Sequence, residues 1–127
     1  MERQVLSISP IVLEWSDWVP WPELMADARQ GGIHLPNRQP GVYEVGYADA
    51  DERLTIGKAS DLRMRVRQGL VKGKVPHSAG DKIRAREELS RLVVRWAVTS
   101  RPAAAEEELH HRHKARFGRL PQYVSHT

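Results

Sequence analysis

With 127 residues and a net charge of +4, the chain has room for one modest hydrophobic core and no second domain. It holds no cysteine, which excludes a disulfide framework, a thiolate metal site and a cysteine nucleophile, and which fits a reducing, cytoplasmic compartment. No apolar run nears the roughly 18 residues of a membrane span, and no basic stretch leads into an apolar one near Met1, so neither a membrane segment nor a signal peptide is expected. Charge is unevenly spread: residues 1–57 carry 4 Lys+Arg against 9 Asp+Glu, residues 58–91 carry 10 against 4, and residues 92–127 carry 6 against 3. A positive field concentrated in the middle of the chain favours a polyanionic partner, with a solvated helix face as the plainer alternative.

Residues 1–40 read as an N-terminal extension. Val5, Leu6, Ile8, Ile11, Val12 and Leu13 flank Ser9-Pro10 and suit a short strand or an arm. Trp15, Trp18 and Trp21 recur every three residues, with Pro20 and Pro22 breaking any regular helix through them. They are expected to pack over one face of a sheet; stacking on unpaired bases is the functional alternative. Docking of a protein partner, or of a second copy of the chain, on this segment is another. Pro22 and Glu23 suit the first turn of a short helix that Gly31-Gly32 would end.

Gly41 to Ala48 alternates Val42, Glu44 and Gly46 against Tyr43, Val45 and Tyr47, the pattern of a strand with one buried face. A polar turn over residues 48–52 leads to a return run, Arg53 to Gly57, which completes a hairpin. Ser60 is placed to cap a helix, with Asp61 in its first turn. Leu62, Val66 and Leu70 then form an apolar stripe, with Arg63, Arg65 and Arg67 off it. A strand that runs through glycine into a capped helix start beside arginines is a place where a phosphate can sit.

Gly69 to Gly80 reads as a loop containing Pro76-His77-Ser78, whose Lys72 and Lys74 face solvent or nucleic acid. Asp81 to Leu89 follows as a short helix. Leu92 to Thr99 alternates as a third strand, and Arg101-Pro102 opens a last helix from Ala103 to about Phe117. On that helix Glu106, His110 and His113 share a face, a spacing that suits a transition metal if a further group comes from elsewhere, with a solvated charged face as the default. The fold class expected is α/β: a three-stranded, mainly antiparallel sheet flanked by helices in the order β-β-α-α-β-α.

Gly41-Val42-Tyr43, Thr55-Ile56-Gly57, Ser60, Leu62, Arg65 and Glu106-x-x-Leu109, in this order and at this spacing, resemble the GIY-YIG nuclease family over residues 41–120. Residues 121–127 remain as a tail. The resemblance implies a small GIY-YIG-type domain and a divalent-metal-dependent DNA endonuclease, with RNA left open as an alternative substrate. In that scheme Glu106 holds Mg²⁺ or Mn²⁺, Arg65 stabilises the charge that builds on the phosphate, and Tyr43 activates the attacking water. Glu107 and Glu108 leave the ligand open by one or two positions, and Glu106 is preferred because E-x-x-L turns Leu109 inward. Lys58, Ser60, Arg63, Arg67, Lys72 and Lys74 are the candidate nucleic-acid contacts.

Two residues depart from the family pattern. Thr55 stands where the second motif has its tyrosine, and Gly118 follows Phe117 where the family has an asparagine. His77 is one candidate to take over the tyrosine's role, because a loop histidine can position or shuttle a proton near neutral pH, with a solvent-exposed histidine of no function as the alternative. The same departures support an alternative function, a nucleic-acid-binding module that keeps the fold without useful catalysis.

Overall fold

The computed structural model of the chain describes residues 3–7, 10–27 and 32–124. Of the expected features, Ile8-Ser9, Gly31 and residues 125–127 of the tail lie outside the described residues; the first helix ends at Ala26, before the expected stop at Gly31-Gly32, because Asp27 is already extended at φ −66° and ψ 123°. The elements are β1 (Val19–Pro20), α1 (Trp21–Ala26), β2 (Gly41–Tyr47), β3 (Arg53–Ala59), a π-helix (Met64–Val71), α2 (Ser78–Arg86), a 3₁₀ turn (Leu89–Arg91), β4 (Leu92–Val98) and α3 (Pro102–Phe117). Among the described residues no helix is long and apolar enough to cross a membrane.

The strands form one antiparallel sheet in the order β1-β4-β2-β3. Among the described residues there are four strands instead of the expected three, because Val19 and Pro20 pair with Val94 and Val93 along the outer side of β4. A two-residue strand carries no alternation to read, and proline is tolerated in it because the strand is an edge.

β2 lies between β4 and β3 and is buried on both faces, not on one as expected. Glu44 is accordingly only 4% exposed. Its carboxylate pairs with Arg53 at 3.1 Å and Arg95 at 2.6 Å. Trp15 stacks on Arg95 at 4.1 Å and Trp18 on Arg53 at 4.6 Å, so two of the three evenly spaced tryptophans cover an ion triad. Trp21 instead enters the main core on the opposite face of the sheet.

That core joins Tyr43, Val45, Val94 and Trp96 of the sheet to Trp21 and Leu24 of α1, Val66 and Leu70 of the π-helix and Ile83 of α2. On the other face Val42 and Ala97 pack against Ala105 and Leu109 of α3 and against Ile11 and Leu13. The hairpin strand β3 therefore forms an outer edge with α3 on one side and the π-helix and α2 on the other.

The segment after the hairpin differs from the expected α-helix. Met64 N–H bonds to Asp61 Oδ1 at 3.2 Å, so Asp61, not Ser60, caps this turn. Beyond it the backbone widens to i→i−5 bonding, as in Lys72 N–H to Arg67 O at 3.0 Å. A wider helix turns less per residue, which draws Arg67 and Val71 into the buried arc with Val66 and Leu70. α2 starts at Ser78, three residues earlier than expected, because His77 acts as its N-cap. Gly118 has φ 76° and closes α3 as a left-handed C-cap, which accounts for glycine at that point.

Candidate active site at the edge of the sheet

Tyr43 on β2 pairs across the ladder with Gly57 on β3. A Cβ built on Gly57 would lie 3.0 Å from Tyr43 Cε1 and would overlap Cζ and Oη, so the phenol crosses β3 only because that residue has no side chain. The ring reaches a hollow of about 800 Å³ along the edge strand. Arg65 enters it from the π-helix, His77 from the start of α2 and Glu106 from α3, with Lys58 and Ser60 on the rim. The four candidate catalytic residues thus come from four elements and line one space.

Hydrogen bonds fix the arrangement of three of them, and Arg65 Nη1 donates to Pro76 O at 3.4 Å. His77 Nε2 lies 2.7 Å from Tyr43 Oη, and Gly80 N–H donates to His77 Nδ1 at 2.9 Å. This geometry needs α2 close against the π-helix, which Gly80 permits: a Cβ there would meet Leu70 O at 2.8 Å. Burial pushes the His77 imidazolium pKa down to about 4, and the charges of Arg65 and Arg84 push the same way. Burial also raises the Tyr43 phenol to about 12, opposed by the neighbouring Arg65 guanidinium and reinforced by the Glu106 charge. At neutral pH the pair is a neutral imidazole beside a neutral phenol.

Among the three consecutive glutamates, Glu106 lines the hollow, Glu107 is exposed and Glu108 is paired with Arg112 at 2.9 Å. Glu106 forms no ion pair among the described residues. The histidines that share its face do not complete a metal site. His113 donates from Nδ1 to Arg119 O at 2.8 Å and accepts Arg53 N–H at Nε2 at 3.2 Å, so both ring nitrogens serve the backbone. His110 Nε2 donates to Ile56 O at 2.8 Å, tying α3 to the edge strand. Among the described residues no three His, Cys, Asp or Glu side chains gather in a metal-binding group.

Comparison of the chain with protein-family models, curated proteins and solved structures finds no match.

The candidate nucleic-acid contacts divide in two. Lys58 and Ser60 are exposed and line the hollow, and Lys74 is exposed outside it. Arg63 is turned inward, its Nε donating to Leu35 O at 3.0 Å. Arg67 is buried at 2% exposure, ion-paired with Asp27 and donating to Ile33 O at 3.1 Å, so it holds the core together and reaches no phosphate. Lys72 donates its ammonium to Asp27 O and is half-buried. These groups look like surface charge in the sequence because their acceptors lie 28 to 45 residues away.

Tyr123 also lines the hollow and was not among the candidates. Its N–H donates to Leu54 O at 2.9 Å and its carbonyl accepts from Thr55 Oγ1 at 3.3 Å, so the tail runs beside Thr55. Tyr123 Oη donates to Glu87 Oε2 at 2.6 Å. A short threonine suits this place because the chain's own tail packs against it. A single tyrosine in a polar tail is the only sequence signal for that contact.

Proposed function

We propose that the chain is a small GIY-YIG-type endonuclease that hydrolyses phosphodiester bonds in DNA with Mg²⁺ or Mn²⁺. The observation that supports this most is convergence: a phenol, a guanidinium and a carboxylate from three separate elements line one hollow, with a lysine on its rim. Its volume of about 800 Å³ admits a phosphate with its flanking sugars.

Hydrolysis requires an oriented water, a route for its proton, and positive charge where the phosphorane oxygens become more negative. Arg65 is always protonated and presents a planar pair of donors to a phosphate. Lys58, exposed at the rim, adds attraction for the polymer as it approaches. Glu106 supplies a hard oxygen ligand with no competing ion pair among the described residues. That suits Mg²⁺, which takes one or two carboxylates and completes its sphere with phosphate oxygens and water. When bound, such an ion supplies positive charge at the phosphate and acidifies water.

The test is relaxation of supercoiled plasmid in Mg²⁺ or Mn²⁺ by the wild type, Arg65→Ala and Glu106→Ala, with circular dichroism as a folding control. Each substitution should reduce nicking by at least about 100-fold. Nicking that survives both would contradict the proposal. Salt-sensitive binding without any nicking would favour the binding-module alternative.

A further inference from the structure

We infer that Tyr43 is a hydrogen-bond donor to an anionic phosphate oxygen of the substrate, and that His77 is the positioning residue that aims its proton; this rests on the nuclease reading above. The family resemblance implies the reverse direction, with Tyr43 taking a proton from water.

The direction follows from the two bonds of the imidazole. A backbone amide can only donate, so Gly80 N–H at 2.9 Å requires a lone pair on His77 Nδ1. A neutral imidazole with its lone pair at Nδ1 carries its proton at Nε2. At 2.7 Å from Tyr43 Oη, that Nε2–H donates and the phenol oxygen accepts. The tautomer is built into the fold, because the Gly80 bond is also the N-cap of α2.

Tyr43 therefore keeps its own proton, and His77 has no vacant nitrogen to receive it. The imidazole occupies one side of the oxygen and Gly57 lies against the ring, which leaves the O–H facing the hollow. Burial holds both groups in the neutral forms this requires. Beside Arg65, the phenol makes a second donor to the same anion. A phosphodiester, with two non-bridging oxygens, accepts from both.

Two substitutions separate the bonds of His77. His77→Asn places an acceptor at the Nδ1 position and preserves the cap, but offers Tyr43 no donor; His77→Gln extends a donor to the Nε2 position and gives up the cap. Binding of a labelled duplex is measured in EDTA, with Mg²⁺-dependent cleavage followed in parallel. Tyr43→Phe should weaken binding about tenfold. His77→Asn should melt like the wild type yet bind several-fold more weakly, and His77→Gln should melt lower yet bind within about twofold of the wild type.

Long-range ¹H–¹⁵N spectra of His77 should show a neutral ring protonated at Nε2 between pH 6 and 8, a readout independent of activity. A ring protonated at Nδ1 overturns the inference. So does a wild type that binds and cuts DNA while Tyr43→Phe binds equally well, and the nuclease reading would then survive. A wild type that neither binds nor cuts DNA overturns both.

Discussion

Replacing Gly57 by alanine adds a single methyl where Tyr43 crosses β3, and its consequences can be worked from the contact. The new carbon would lie 3.0 Å from Cε1 and would overlap Cζ and Oη, whereas carbon atoms settle about 3.5–4.0 Å apart. Gly57 does not have a positive φ, so the backbone accepts alanine and the cost arises from the phenol alone. The ring has to move by the order of 1 Å and leaves His77. Overpacking of this kind costs about 1–3 kcal/mol, or a fall in Tm of roughly 4 °C for each kcal/mol in a domain of this size. A misplacement of about 1 Å should lower cleavage about 100-fold. Thermal melts and plasmid nicking measure both effects, and a double-mutant cycle isolates the cause: in a Tyr43→Leu background, Gly57→Ala should cost little. Equal costs in both backgrounds, or Gly57→Ala with wild-type melting and nicking, would refute the reasoning.

Glu44→Gln should lower stability by about 2–3 kcal/mol in urea denaturation, because Arg53 and Arg95 lose their shared carboxylate while water relieves part of the loss. A change below about 0.5 kcal/mol would show that the triad is dispensable. His77 gives stability a pH dependence whose sign is set by burial. Its folded pKa of about 4 lies below the ordinary 6.5, so between those values the unfolded chain binds the extra proton. Its contribution is therefore complete above pH 6.5 and is lost as pH falls toward 4. At about 1.4 kcal/mol per pKa unit the ceiling is roughly 3 kcal/mol, reduced to the order of 2 because the ring borders a wet hollow. Wild type should lose about that much more stability than His77→Asn between pH 7 and pH 4.5, and parallel losses would contradict it.

The hairpin, β4 and α3 were legible because their signals are local. Residues that alternate or recur along one segment face the same neighbours, and Arg101-Pro102 marks the start of α3. The π-helix was not legible: Leu62, Val66 and Leu70 fit either helix type, and Asp27, the ion partner of the inward-turned Arg67, lies 40 residues earlier. Burial of Glu44 was hidden for the same reason, since Arg95 and the tryptophans that cover the triad arrive from distant segments. β1 is too short to carry a pattern. In the site, Tyr43, Arg65 and Glu106 stand out through their neighbours in sequence, and the fold brings them to one hollow. The bond from His77 to Tyr43 depends on a cap and on close helix packing at Gly80, neither of which a glycine-rich stretch advertises.

The most direct measurement of whether these groups act on one phosphate is single-turnover cleavage of a labelled duplex by Arg65→Ala, Glu106→Ala and the double variant. Residues that serve one transition state are strongly non-additive. The double variant should therefore cut no more than about threefold more slowly than the slower single variant. Losses that multiply, or a single variant that cuts at the wild-type rate, would contradict the claim that the edge of β3 holds one active site.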